Sequence, residues 1–456
     1  MTRWLTSATL GVTLLVAAAL RVVGSGYGLP YPLLNPDEGN IVPRAWDLVH
    51  GGGLDPGWYD YPSLLFLVLS PTQLWSADPS YGAARIVAVG VGVAGVAVAW
   101  WLGQAAFGRR AALVGAVTVA VATTHVAYSR MAVTDVLLTT LVTIALALMV
   151  GGRLEWAGLA VGLAVSTKYP GVALGVPLVV AAWGQWRALA RSLAIAVAAF
   201  LLTSPFVVIH AGRAWSDITR VQDLARLGWL GFEDDRGLTL AFVDRLWGAV
   251  GPLLVVAVVA LILAVRRRSP ADRVLLAFVA AYWLELVPVH APFDRYILPL
   301  VPVLGVLAGS ARLLVPFALV ALLVPTIWSI DDALALQGKD TRLVADTWIA
   351  AHVPSGDLIA ADPSTLPLVG RKVLRLELPG PGRPFDPDRD LARLRREGVV
   401  WLLTSGAVTD RVTAEPDRYP REAAFYRSLG NADVAFATSS SVPGLTGPWV
   451  RVYRLR

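Results

Sequence analysis

"IVAVGVGVAGVAVAWWLG", residues 86–103, runs for 18 residues without a charged, amide or hydroxyl side chain. A helix needs about 20 mainly apolar residues to cross a bilayer core, so this stretch reads as the centre of a membrane span near residues 83–104. Ten further apolar runs lie outward from it, near residues 4–23, 111–128, 133–150, 154–167, 171–186, 189–209, 247–265, 272–289, 294–309 and 312–329. Those at 154–167 and 171–186 are short and either tilt or merge, which leaves the count of eleven open by about two. The first run lacks a clear small-residue cleavage site and reads as a retained helix rather than a signal peptide. Composition agrees: 56% of the 456 residues are hydrophobic and only 16% are charged, far from the balance of an ordinary soluble domain. The expected class is an α-helical polytopic membrane protein.

Charge placement gives an expected orientation. With the amino terminus in the cytoplasm, the short inner connections carry Arg109, Arg110, Arg153, Arg187, Arg191, Arg266, Arg267, Arg268, Arg273 and Arg312, the bias that positive-inside topology requires. The net charge of +6 is then a matter of topology, and nothing points to nucleic acid. The chain has no cysteine, which excludes disulfides and thiol chemistry. The expected location is the plasma (inner) membrane.

Three segments lie outside the membrane in this orientation. Residues 24–82 form a long first outer loop and residues 210–246 a second, and loops of this length are usually functional. Residues 331–456 form an extracytoplasmic tail, so that the chain divides into an apolar domain, 1–330, and this tail. The tail alternates helix-like stretches (Thr341 to His352, Arg389 to Glu397, Pro420 to Leu429) with strand-like ones (Leu358 to Ala361, Val399 to Thr404, Val434 to Thr438, Trp449 to Tyr453), the pattern of a small α/β domain. It holds no glycine-rich nucleotide fingerprint, and "PGPGRP" at 379–384 reads as a turn.

The first outer loop contains "LLNPDEGN", residues 33–40, with adjacent carboxylates at Asp37 and Glu38. Asn35-Pro36 before them reads as a helix start, Asn35 as N-cap and Pro36 as first helical residue. Adjacent helical residues do not face each other, so the two acids are not expected to share a proton. Glu38 is expected to reach back to Asn35 as in a capping box, leaving Asp37 to face a substrate, and the helix is expected to break before Pro43. A purely structural role for the pair is the competing reading.

Other polar residues gather on the outer side. They are Arg130 and Asp135 in "RMAVTDVLLTTL", Lys168 in "STKYPG", His210 after the seventh run, and Asp294 and Arg295 in "DRYILPLVP". Charges at bilayer depth cost about 2.5 to 3.5 kcal/mol each on insertion scales and mark functional sites. Arg130, His210 and Asp294 also suit helix capping or snorkelling, and Lys168 suits an interface anchor. Trp46, Trp58, Tyr59 and Tyr61 read as an aromatic belt before a sugar platform. The five histidines show no metal-ligand spacing.

Together, "NPDEGN", "YDYPSLLFL", "RMAVTDVLLTTL", "STKYPG" and "DRYILPLVP", in this order over about residues 1–330, resemble the GT-C glycosyltransferases. The likeness is nearest to bacterial relatives of the protein O-mannosyltransferases and of the lipid A aminoarabinose transferases. It implies transfer of a hexosyl or pentosyl group from a polyprenyl-phosphate sugar to an acceptor hydroxyl of a protein, lipid or envelope glycan at the outer face, with inversion. It further implies a catalytic pair with Asp37 as general base and Glu38 supporting it, Asp135 near the donor or acceptor sugar, and Lys168 and Arg295 at the donor phosphate. Tyr61-Pro62-Ser63 departs from the resembled pattern, where relatives often carry a basic residue and two prolines. Arg130 therefore shares the phosphate assignment with Lys168 and Arg295, while Tyr61, Asp294 and His210 complete the expected binding residues. No metal or other cofactor is expected.

A transporter or flippase for a lipid-linked sugar is the main rival. It should show paired repeats, broken helices at the midplane and polar residues continuing inward, whereas the inner halves of these runs are apolar. A scaffold presenting the tail is a third reading, in which neutralising Asp37 changes only stability.

Overall fold

The computed structural model describes residues 2–232 and 238–455. Contacts divide the chain into two compact units, Met1–Gly26 with Asp37–Gln222 and Arg236–Leu334, and Tyr27–Pro36 with Asp223–Asp235 and Ala335–Arg456. The second unit thus takes in two pieces of the outer loops that the sequence reading kept with the apolar part.

The first unit is helical. Its helices are α1 (Thr2–Val22), α2 (Glu38–Asp47), α3 (Leu64–Leu69), α4 (Tyr81–Phe107), α5 (Arg109–Val121), α6 (Thr123–Tyr128), α7 (Thr134–Val150), α8 (Leu154–Thr167) and α9 (Gly175–Ala181). They continue with α10 (Trp186–Thr203), α11 (Pro205–Ile209), α12 (Ala211–Leu227), α13 (Leu238–Val250), α14 (Leu253–Arg267), α15 (Pro270–Leu286), α16 (Leu300–Ala308), α17 (Val315–Ala321) and α18 (Leu323–Ala335). Local signals set several ends. The Ser80 hydroxyl accepts the Ala83 N–H at the start of α4, and a Ser269–Asp272 capping box with Pro270 at the first position starts α15, satisfying donors that a helix start leaves free. Small residues let α8 and α10 approach closely: a Cβ on Gly158 or Gly162 would meet the Ser192 or Ala196 carbonyl oxygen at 2.2 Å, the way membrane helices pack without a hydrophobic driving force between them.

Among the described residues, three helical runs are long and apolar enough to cross a membrane: Tyr81–Phe107, Trp186–Thr203 and Arg312–Ala335. The pair Leu240–Val250 and Leu253–Arg267, bent by 114°, makes a fourth if it is one span. Eleven uninterrupted spans are therefore not what the described residues form. The expected third run is split where Ala122 leaves helical geometry at ψ 117°. Short 3-10 turns over Tyr169–Leu174, Asp294–Ile297 and Arg312–Leu314 begin the sixth run and the last two.

One of these breaks has a visible stabilising partner. Arg21, fully buried at the end of α1, donates to the Val119 and Ala120 carbonyls at 2.7 and 3.0 Å, groups that the end of α5 would otherwise leave unpaired. It also reaches Ser129 Oγ at 3.2 Å and His125 Nδ1 at 3.0 Å.

The expected second outer loop is largely helical, with α12 and the start of α13 inside it; its residues 233–237 lie outside the described residues.

The second unit is an α/β domain with helices α19 (Thr341–His352), α20 (Leu391–Arg396), α21 (Gly406–Ala414) and α22 (Pro420–Ser428). Its strands are β1 (Lys339–Asp340), β2 (Leu358–Ala361), β3 (Lys372–Arg375), β4 (Val399–Ser405), β5 (Asp433–Thr438), β6 (Leu445–Thr446) and β7 (Val450–Arg454). Five strands form one sheet in the order β3-β2-β4-β7-β5, and β1 pairs with β6 apart from it. Within the sheet β3, β2 and β4 run parallel, and β7 lies antiparallel between β4 and β5. A buried knot fixes the end of β2: Asp362 accepts from Arg389 Nη1 at 3.0 Å and from the Tyr426 hydroxyl at 2.8 Å.

Candidate active site

Asp37 stands at the N-cap position of α2, with no side-chain capping bond. The helix therefore starts later than Asn35-Pro36 suggests, and its carboxylates serve other partners. Pro43 does not end it either: the helix runs on to Asp47 with proline inside.

Glu38 is fully buried and makes no capping box. Its Oε1 accepts from Arg85 Nε at 2.9 Å and from the Ala132 amide at 2.9 Å, and its Oε2 from Arg85 Nη2 at 2.7 Å. This bidentate pair ties α2 to α4 and to the turn before α7. Having no exposed face, Glu38 supports the site from behind and does not line it. The sequence carries a signal for its partner, since Arg85 is a charge inside an apolar run.

Asp37 points elsewhere, to the Tyr61 hydroxyl at 3.0 Å and Arg295 Nη1 at 2.6 Å. Burial alone raises its carboxyl, but the charge and hydrogen bond of Arg295, the Tyr61 hydroxyl and the Lys168 charge more than offset this and hold it below the usual carboxylate range. Burial pushes the Tyr61 phenol well above its ordinary value, with Arg295 opposing and Asp37 and Asp135 adding, so Tyr61 remains a donor to Asp37.

A second ion pair lies in the same cluster. Lys168 Nζ is 2.6 Å from Asp135 Oδ1, both side chains nearly inaccessible, while Asp135 Oδ2 has no hydrogen-bond partner among the described residues. The ammonium lies 5.6 Å from the Tyr61 ring centre and 5.0 Å from that of Tyr296, within cation–π range. Arg295 lies 5.8 Å from the same Tyr296 ring. Asp294 is turned from Asp37 and accepts the Tyr128 hydroxyl at 2.8 Å and the Arg295 amide at 2.9 Å, which fixes the backbone that presents Arg295.

Asp37, Tyr61, Asp135, Lys168 and Arg295 thus come together, with Asp294 supporting Arg295. Arg130 and His210 do not join them. Arg130 is buried against the Leu20 carbonyl at 2.7 Å and pairs with Asp332, which closes the end of α1 and leaves no free fork for a phosphate. His210 lies 3.2 Å from Asp55 in a network that fastens the first outer loop: Asp217 accepts the Tyr59 amide, the Tyr169 hydroxyl donates to the Tyr59 carbonyl, and Arg220 pairs with Asp60. The loop aromatics are tied into the loop itself. Tyr59 is buried, Trp46 donates to the Ser76 carbonyl at 2.8 Å, and Trp58 meets Tyr61 edge to face and carries Arg44 over its ring. Their polar groups find partners within the loop. Tyr128 and Tyr296 escaped the sequence reading, although Tyr296 lies in the quoted "DRYILPLVP".

An apolar crevice lined by Leu65, Leu69, Val87, Val91, Val133 and Leu137 lies among α3, α4 and α7. Among the described residues no three His, Cys, Asp or Glu side chains gather as a metal site would require.

The model of glycosyltransferase family 87 matches residues 58–289, just over half of the chain. The chain belongs to glycosyltransferase family 87. The matched part of this family 87 protein includes Tyr61, Asp135 and Lys168, while Asp37 and Arg295 flank it. Among curated proteins none matches. Solved structures share its fold. ArnT from Cupriavidus metallidurans in the apo state aligns with TM-score 0.62 at 17% identity, over 100% of this chain and 98% of that one. ArnT bound to undecaprenyl phosphate aligns with TM-score 0.58 at 16% identity, with the same coverage. The Archaeoglobus fulgidus oligosaccharyltransferase in complex with Zn and sulfate aligns with TM-score 0.61 at 15% identity, over 96% of this chain and 72% of that one. The family 87 chain is a membrane-embedded glycosyltransferase with the GT-C-type fold expected from its sequence.

Proposed function

We propose that this glycosyltransferase moves a sugar from a polyprenyl-phosphate carrier to an acceptor hydroxyl at the extracytoplasmic face, with inversion and with Asp37 as general base. The carrying observation is the pairing of two carboxylates with two cations in one cluster, Asp37 with Arg295 at 2.6 Å and Asp135 with Lys168 at 2.6 Å. In the proposed step the acceptor oxygen bonds to the anomeric carbon as the bond from that carbon to the phosphate oxygen breaks. The electron pair leaves with the lipid phosphate and the acceptor proton passes to Asp37. Arg295 and Lys168 suit the departing phosphate, and Asp135 suits the positive character that develops on the sugar ring.

The donor class is supported by the fold relatives, of which ArnT has been crystallised with undecaprenyl phosphate and an archaeal oligosaccharyltransferase, AglB, with dolichol-phosphate and an inhibitory peptide. The acceptor is a protein, lipid or cell-envelope glycan, and the sugar is a hexose or pentose, mannose-like in the nearest resemblance. The short and broken apolar helices complete about eleven crossings of the plasma membrane, amino terminus inside. No metal is invoked, since Arg295 and Lys168 already stand against the two carboxylates that a divalent cation would need.

The test is transfer of radiolabelled sugar from polyprenyl-phosphate hexoses and pentoses in membranes containing the protein. Asp37→Asn should abolish it with the protein still folded, and near-normal turnover by that variant would refute the base assignment.

A further inference from the structure

Asp37, Glu38, Asp135 and Asp294 each meet a cation or a phenolic hydroxyl. Glu285, near the end of α15, does not. Its Oε2 is shut off from solvent, and no donor reaches it among the described residues. It lies on the inward stripe of the helix with Phe278 and Tyr282, 0% and 4% exposed, while its neighbours Leu284 and Val287, 69% and 40% exposed, mark the outward face. Residues three and seven apart share a helix face, so the carboxyl belongs to the packed side. A carboxyl kept in an apolar helix without a partner is a functional candidate by default.

Its helix neighbour Tyr282 links it to the turn that carries Arg295. One turn before it, the Tyr282 hydroxyl donates to the Tyr296 carbonyl at 3.0 Å, closing the turn that carries Asp294 and Arg295. The Tyr296 ring is the one beneath Lys168. We propose that Glu285 is a specificity residue whose free carboxyl oxygen accepts a hydrogen bond from a hydroxyl of the transferred sugar. This rests on the assignment of Lys168 and Arg295 to the donor phosphate. A site built to bond a hydroxyl rejects an analogue that lacks it, because the buried group is then left unpaired.

The experiment compares kcat/KM for short-chain polyprenyl-phosphate hexoses and pentoses and their singly deoxygenated analogues, using the wild-type protein, Glu285→Gln and Glu285→Leu. The wild type should disfavour one deoxy donor by roughly 10- to 100-fold. Glu285→Leu should slow the parent donor to about the rate of that analogue and abolish the discrimination, a non-additive pattern that general damage to the fold does not give. Glu285→Gln, which retains an acceptor oxygen, should keep part of it. Unchanged discrimination in both variants, or discrimination that moves to deoxy acceptors, overturns the proposal and leaves the donor class intact. Absence of turnover of every donor by the wild type overturns the donor reading itself and this proposal with it.

Discussion

Arg295 Nη1 lies 2.6 Å from Asp37 Oδ2, so the proposed base and a proposed phosphate ligand hold each other in the unliganded protein. A phosphate that draws Arg295 away removes the charge that keeps Asp37 a weak base. In the proposed mechanism, donor binding thereby raises the basicity of Asp37 at the stage when the acceptor proton must be taken.

That relationship predicts a pH signature. The folded carboxyl lies below its ordinary value, so its contribution to stability is complete above that value and is lost as pH falls through the depressed one. The acidic limb of kcat/KM, which reports free enzyme, should lie at lower pH than the limb of kcat, which reports the donor complex. Parallel profiles measured with saturating and limiting donor check this, and coincident limbs would argue against release of Arg295.

Tyr61→Phe should act on the same carboxylate from the other side. Loss of the 3.0 Å hydrogen bond removes a donor to the charged form, so the kcat/KM limb should move to higher pH. Lys168→Met should instead lower turnover at every pH, because it leaves Asp135 buried without its cation.

Glu38 and Asp37 should separate in stability rather than in capping. Glu38→Gln breaks a buried bidentate pair with Arg85 and should cost about 3 to 5 kcal/mol, whereas Asp37→Asn weakens a more accessible pair with Arg295, leaves it an acceptor oxygen, and should cost less. Thermal unfolding in detergent distinguishes them. Glu38→Leu with Arg85→Leu should recover part of the loss, short of the contribution from the Ala132 amide, which would then lack its acceptor.

The tail offers an independent check on buried charge. Asp362→Asn leaves the enclosed Arg389 with neutral acceptors alone, among them the Glu377 carbonyl and the Tyr426 hydroxyl, and should destabilise the α/β unit by about 3 to 5 kcal/mol, read as early loss of tail protection in hydrogen exchange. No change in protection would mean that Arg389 finds other partners.

The helices and strands of the tail are legible because each alternates clearly with turn residues. The expected helix over Thr341 to His352 is α19, end for end. What escaped are the two-residue strands β1 and β6, β3, whose four residues, Lys372–Arg375, carry a charge at each end, and α21, which follows β4 without a turn. In the membrane part, residue type pointed to Asp37, Asp135, Lys168 and Arg295, since charges there need partners. Partner identity was not legible: Asn35-Pro36 suggested local capping, but a bidentate arginine 47 residues away offers Glu38 more than a backbone amide. Broken helices escaped for a similar reason. An apolar run looks the same whether or not a distant side chain such as Arg21 stabilises its interruption.

Arg21 also sets an order on synthesis. Apart from the Ala17 carbonyl in its own helix, its partners at Val119, Ala120, His125 and Ser129 are 98 to 108 residues away. At about 5 to 20 residues per second, the guanidinium waits roughly 5 to 20 s after its own translation before they exist. The first helix must meanwhile remain where its charged end can stay hydrated, and it settles only when the interrupted segment arrives to take it.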